Sequence, residues 1–264
     1  MRMVDPSETR GRESLEEIAV LALDFGRLLM EAGGSAGRVE QITSHVAFGL
    51  GAERVDLRVG YASLAVTIGI GPDAITRISK VGLLGVNQRL HHALCAAAAR
   101  IERRTFTVGE AREEPDRIVR ASPRHPDWVV ALAVGVACAA FGRLLGADWT
   151  GVGPTFAAAA LGQLVRRQLA LQNVNVFISA TVVGFLASTL CGLGSRWLGS
   201  HTVAMNMIAT VLLLVPGVPL FNAQYDILEG HPTLGSARGV WAAMILLFAT
   251  LGVWFALCLL GEGR

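Results

Sequence analysis

Val203-Ala204-Met205-Asn206-Met207-Ile208-Ala209-Thr210-Val211-Leu212-Leu213-Leu214-Val215-Pro216-Gly217-Val218-Pro219-Leu220-Phe221, with Asn222 and Asp226 following, is the stretch on which the reading of this chain turns. It is close to the roughly 20 apolar residues that carry a helix across a bilayer. It is also interrupted, because Pro216 and Pro219 each lack an N–H and crowd the preceding turn. The carbonyls freed at such a break must be satisfied by water, a neighbouring helix or a ligand, and broken helices at membrane depth often line transport sites. If helicity resumes, Pro219, Asn222 and Asp226 share a face, as Asn206 and Thr210 do one turn apart near the other end. The alternative is a helix that ends at Pro216 with Asn222 and Asp226 in a wet loop, and the sequence leaves both open. Gln163, Ser179 and Thr181 either line the same path or hydrogen-bond between helices.

Four more apolar runs surround it: Trp128–Leu145, Trp149–Val165, Val174–Leu193 and Gly239–Leu260. Of the 264 residues 52% are hydrophobic and 17% charged, where a soluble domain carries about a quarter charged. Residues 1–127 hold 17 Arg/Lys and 17 Asp/Glu, whereas 128–264 hold 6 and 4. The two halves therefore face different solvents, and neither has the concentrated basic surface that nucleic-acid binding needs. Arg117, Arg120 and Arg124 precede the first span, Arg166 and Arg167 follow the second and Arg238 precedes the fifth; Arg143, Arg196 and Arg264 lie on the other side. With no apolar signal segment near Met1, this bias places the N-terminus inside and the C-terminus outside. Trp128, Trp149, Trp197 and Trp241 fall near span ends, as an aromatic belt does. Ala180, Gly184, Ser188 and Gly192 form a ridge of small residues for close helix packing.

The first half reads as soluble. Leu15 to Ala32 has the spacing of an amphipathic helix, and a second runs from Ser35 to Leu50. Val55–Val59, Leu64–Ile68 and Ile75–Ile78 read as short strands, with a turn over Gly69–Pro72. Val86–Arg104 and Val108–Val119 read as helices before Pro123 and Pro126. The expected architecture is a flexible N-terminus over 1–14, then an α+β cytoplasmic domain over 15–124 with a helix pair, a short antiparallel sheet and long helices. An all-α bundle of five transmembrane helices over 125–264 completes it.

Gly33-Gly34-Ser35-Ala36-Gly37 matches a G-x-S-x-G nucleophile motif, but that chemistry needs a strand-to-helix elbow, and a helix precedes Ser35. Ser35 is read as a helix cap instead. Arg38 and Glu40 open the second helix, where an acid favours the N-terminus. His91 and His92 adjoin on one helix and cannot easily face one metal. Cys95, Cys138, Cys191 and Cys258 form no C-x-x-C pair. No catalytic residue, metal site or cofactor is expected.

Leu214 to Asn222 with Asp226, Gly230, Gly235 and Arg238, together with Gly34 to Arg38-Val39-Glu40, Thr76-Arg77 and Val81, resembles the threonine/serine exporter family and its shorter, split YjjP-type branch. The resemblance runs from about Leu21 to Leu260. It implies export of small hydrophilic acids across the bacterial inner membrane: threonine and serine in full-length members, dicarboxylates such as succinate in the split type. It also implies a separate small multi-span membrane protein of YjjB type as partner, in a hetero- or homo-oligomer in lipid. On this footing Asn206, Thr210, Pro216, Gly217, Pro219 and Asn222 are the expected substrate path, and Asp226 the expected proton-coupling group, since burial raises a carboxyl pKa. The competing expectation is a non-transporting membrane protein whose cytoplasmic domain senses a ligand or docks a partner.

Overall fold

The computed structural model describes residues 6–71, 74–103, 106–123 and 125–262, with side chains from Ser14 onward. Residues 1–5 of the expected flexible terminus, Pro72 of the expected turn, and Arg104, Arg124 and Arg264 lie outside these. The fold is mostly helical, with one small sheet. The chain separates into two compact units: residues 1–124 together with Val218–Gly239, and residues 125–217 together with Val240–Arg264.

In the first unit α1 (Pro6–Glu31) starts well before Leu15, so the helix takes in residues assigned to the flexible terminus. Its apolar face buries Ile18, Ala22, Phe25 and Leu29. Gly33, at φ +98°, ends it in the left-handed region, where a side chain would be strained. A Cβ there would also lie 2.9 Å from Gly85 O. α2 (Ala36–Gly49) follows, capped by Ser35, whose Oγ accepts from Arg38 N. β1 (Val55–Val59), β2 (Ser63–Ile68) and β3 (Ile75–Lys80) form an antiparallel sheet in that order, with Leu57 opposite Val66 and Val66 opposite Arg77. Alternation along β2 sends Leu64, Val66 and Ile68 into the core. α3 (Gln88–Glu102) is capped by Asn87, and α4 (Val108–Ala121) begins with a reciprocal Thr107–Glu110 capping box. The core of this unit also takes in Leu234, from far along the chain.

The second unit contains α5 (Asp127–Leu144), α6 (Val152–Leu171), α7 (Val176–Trp197) and α8 (Val203–Thr210), which tightens into a 3-10 turn over Val211–Leu214. After the break come α9 (Gly217–Leu228) and α10 (Pro232–Leu260). α5, α7 and α10 are long and apolar enough to cross a membrane, and α8 with α9 makes a fourth if that broken pair is one span. α6 is long enough but carries Arg166, Arg167, Gln163 and Gln168, which lower its hydropathy. Small residues set the packing distance, as membrane helices require. A Cβ on Gly184 would lie 2.9 Å from Ala249 O, and one on Gly252 would collide with Thr181 O. Trp128, Trp149 and Trp197 stand exposed at or beside helix ends.

Candidate functional site

Two stretches singled out in the sequence, Gly33–Glu40 and Asn222–Arg238, are far apart in the chain and meet inside the first unit. Asp226 on α9 is fully buried, and its Oδ1 accepts from Ala36 N at 2.7 Å, in the first turn of α2. Its Oδ2 accepts from Arg238 Nη1 at 2.6 Å, while Arg238 Nη2 donates to Gly34 O at 3.1 Å. Asn222 Nδ2 donates to Gly33 O at 2.8 Å, adding a neutral tie to the same turn. Each group answers an elementary demand. The α2 N-terminus presents unpaired N–H groups and partial positive charge that attract a carboxylate. A buried carboxylate needs a cation, and Arg238 supplies it with a donor left over for a carbonyl. Around this knot His231 Nε2 stands 3.4 Å from Glu40 Oε2. Burial pushes the Tyr61 phenol up from its ordinary value, and the nearby Arg238 charge opposes this. Burial pushes the His91 pKa down, with His92 and Arg38 acting in the same sense.

The same geometry settles how the Gly33–Gly37 motif is used. Ser35 is a helix cap entered from α1, and no strand leads into it. His91 and His92 sit edge to face at 5.8 Å, and no cluster of metal-ligating side chains occurs among the described residues.

Asn206 and Thr210 belong to the second unit. Thr210 Oγ1 donates to Met207 O at 2.6 Å. Asn206 is fully buried, and its Nδ2 donates to Ser195 Oγ at 3.2 Å and Ser200 Oγ at 2.9 Å. Its Oδ1 has no partner among the described residues, so this atom keeps the capacity to accept a hydrogen bond. Beside it Asp148 accepts from Ser200 Oγ at 2.8 Å, His201 N at 2.7 Å and Gly151 N at 2.9 Å. Desolvation alone raises its pKa, but these donors together outweigh it and hold the carboxyl well below the ordinary range. Asp148, Ser195 and Ser200 are the residues that sequence reasoning missed, because they come from two loops and the last turn of α7 with no shared period.

The break itself falls where the prolines put it. Val215 N donates to Leu212 O, and Gly217 N turns back to Val215 O, which leaves Leu213 O without its helical donor. Arg166 Nη1 takes that place at 2.7 Å. Gly217 opens α9, and Pro219 sits within its first turn, where a missing N–H costs nothing.

A family model described as "Putative threonine/serine exporter" matches residues 20–260. A protein of Escherichia coli K12, "Probable succinate transporter subunit YjjP", is 29% identical over 251 residues, covering 94% of this chain and 97% of that protein. Its namesake in Klebsiella aerogenes is 27% identical, covering 97% of each. An uncharacterized Haemophilus influenzae protein is 23% identical over 84% of each chain. No solved structure matches the chain.

Proposed function

Because the chain belongs to the threonine/serine exporter family, we propose that it is one subunit of a secondary exporter in the bacterial inner membrane, moving a small amino or carboxylic acid out of the cytoplasm. The observation that carries this reading is the buried knot of Asp226, Arg238, Asn222 and the Gly33–Ala36 turn. It joins the residues immediately after a broken apolar helix to the start of α2. A buried, paired charge of this kind is a contact whose making or breaking can distinguish two conformations of a transporter.

In this reading the N-terminus is cytoplasmic, α6 is a fifth span and a separate small multi-span protein completes the transporter. The word "subunit" in the relatives' names supports a partner. Asn206, with its open Oδ1, Thr210, Pro216, Gly217, Pro219 and Asn222 are the candidate substrate-path residues, the first four in the second unit and the last two in the first. Asp226 is the candidate for proton coupling. Its carboxylate is held between the Arg238 guanidinium and the N-terminus of α2.

Efflux of labelled threonine, serine and succinate from cells making this chain, the small partner or both tests the reading. Efflux only with both is expected. No efflux in any combination, with both proteins in the membrane, overturns it.

A further inference from the structure

Beside the buried knot the first unit opens a cleft of about 450 Å³, lined by Ser35, Gly37, Arg38 and Gln41 at the start of α2 and by Tyr225 and Glu229 on and just after α9. Its wall carries one guanidinium and one carboxylate that form no ion pair with each other. Arg38 donates from Nη1 to Gln41 Oε1 at 2.8 Å and makes no ion pair among the described residues, which leaves most of its fork for a ligand. Glu229 lies over Gly37, and a Cβ at that position would collide with Glu229 Oε2, so the glycine is what lets the carboxylate come this close. Ser35 Oγ accepts from Arg38 N and keeps its own proton to donate. Asp226 and Arg238 beneath compensate each other, as His231 and Glu40 can at the margin, so the two lining charges set the character of the cleft.

We propose that this cleft binds a small zwitterion, with Arg38 holding its carboxylate, Glu229 its ammonium group, and the Ser35 and Tyr225 hydroxyls a neutral polar substituent. The assignment rests on the transport reading and narrows its substrate class. A dicarboxylate would place its second negative charge against Glu229 with no second cation in the lining, and selectivity is built from such mismatches. On this ground the chain prefers an amino acid to the succinate named for its relatives.

The test is binding of labelled serine to the purified full-length protein in detergent, competed by glycerate, which lacks the ammonium group, and by succinate. Serine is expected to bind, and both competitors to be weaker. Arg38→Gln is expected to weaken serine and glycerate alike by about tenfold, the loss of one charged hydrogen-bond partner. Glu229→Gln is expected to weaken serine to a similar degree while leaving glycerate unchanged or improved. That split is a pattern general misfolding would not give. Wild-type serine affinity in both variants, loss of every ligand in both, or succinate competing as well as unlabelled serine overturns the proposal. Efflux that persists in both variants with unchanged serine affinity leaves the transport reading standing and removes the cleft. Charge-selective binding with no efflux of any tested acid does the reverse.

Discussion

Asp226 and Arg238 have almost no contact with solvent, and each is the other's only counter-charge within 4 Å among the described residues. Removing one partner leaves the other charged and buried, which costs about 3–5 kcal/mol, whereas replacing both with apolar groups of similar size is often neutral. Asp226→Asn and Arg238→Gln are each expected to lower the midpoint of thermal unfolding in detergent, and the double change Asp226→Leu with Arg238→Met to recover most of the loss. A double variant no better than the singles would show that the backbone bonds to Ala36 and Gly34 dominate. In efflux, Asp226→Asn is expected to flatten the pH dependence, and a profile like wild type would remove Asp226 from coupling. The sequence picks out Asp226 by its helical spacing from Pro219 and Asn222. It gives no sign of Arg238 as the partner, because the pair closes across the turn at Gly230–His231, where no period connects them.

Along the elements, what can be read locally is read well. The three strands, the Ser35 cap and the interruption at Pro216 all follow from residues within a few positions of one another. Starts and stops fixed by distant packing are less legible. α10 begins at Pro232, not near Gly239, because Leu234 and Arg238 are buried within the first unit, a reward that hydropathy alone does not register. The contact of α7 with α10 rests on a missing side chain: Gly252 lies against Thr181, whose Oγ1 donates to Phe248 O at 2.9 Å. Gly252→Leu is expected to destabilise the protein by about 1–3 kcal/mol, the usual cost of overpacking. Gly153→Leu is the control, since nothing lies within 4 Å of a Cβ there. Equal unfolding midpoints for the two variants in detergent would show that this seam does not limit stability.

For the molecule as a whole, the uneven division of charge between the two halves of the sequence is legible at once, but the membership of each unit is not. That Val218–Gly239 returns to the first unit depends on contacts across some 190 residues, which leave no trace in composition or periodicity. Topology remains open to direct measurement. In a variant lacking Cys95, Cys138, Cys191 and Cys258, a cysteine at Glu53 is expected to react with an impermeant maleimide only after the cells are opened. One at Glu262 is expected to react from outside, as an odd number of spans requires; labelling of Glu262→Cys only in opened cells would mean an even number. The returning segment also sets a timetable for biosynthesis. Residues 1–124 leave the ribosome first, yet the carboxylate that meets Ala36 and the guanidinium that meets Gly34 are made only after α5 to α8 have been synthesised. At roughly 5–20 residues per second the wait is on the order of ten seconds or more. Through that interval the nascent N-terminal unit has an open seam, so the part synthesised first is completed among the last, and a chain stalled before Arg238 would expose that seam to the cell's quality control.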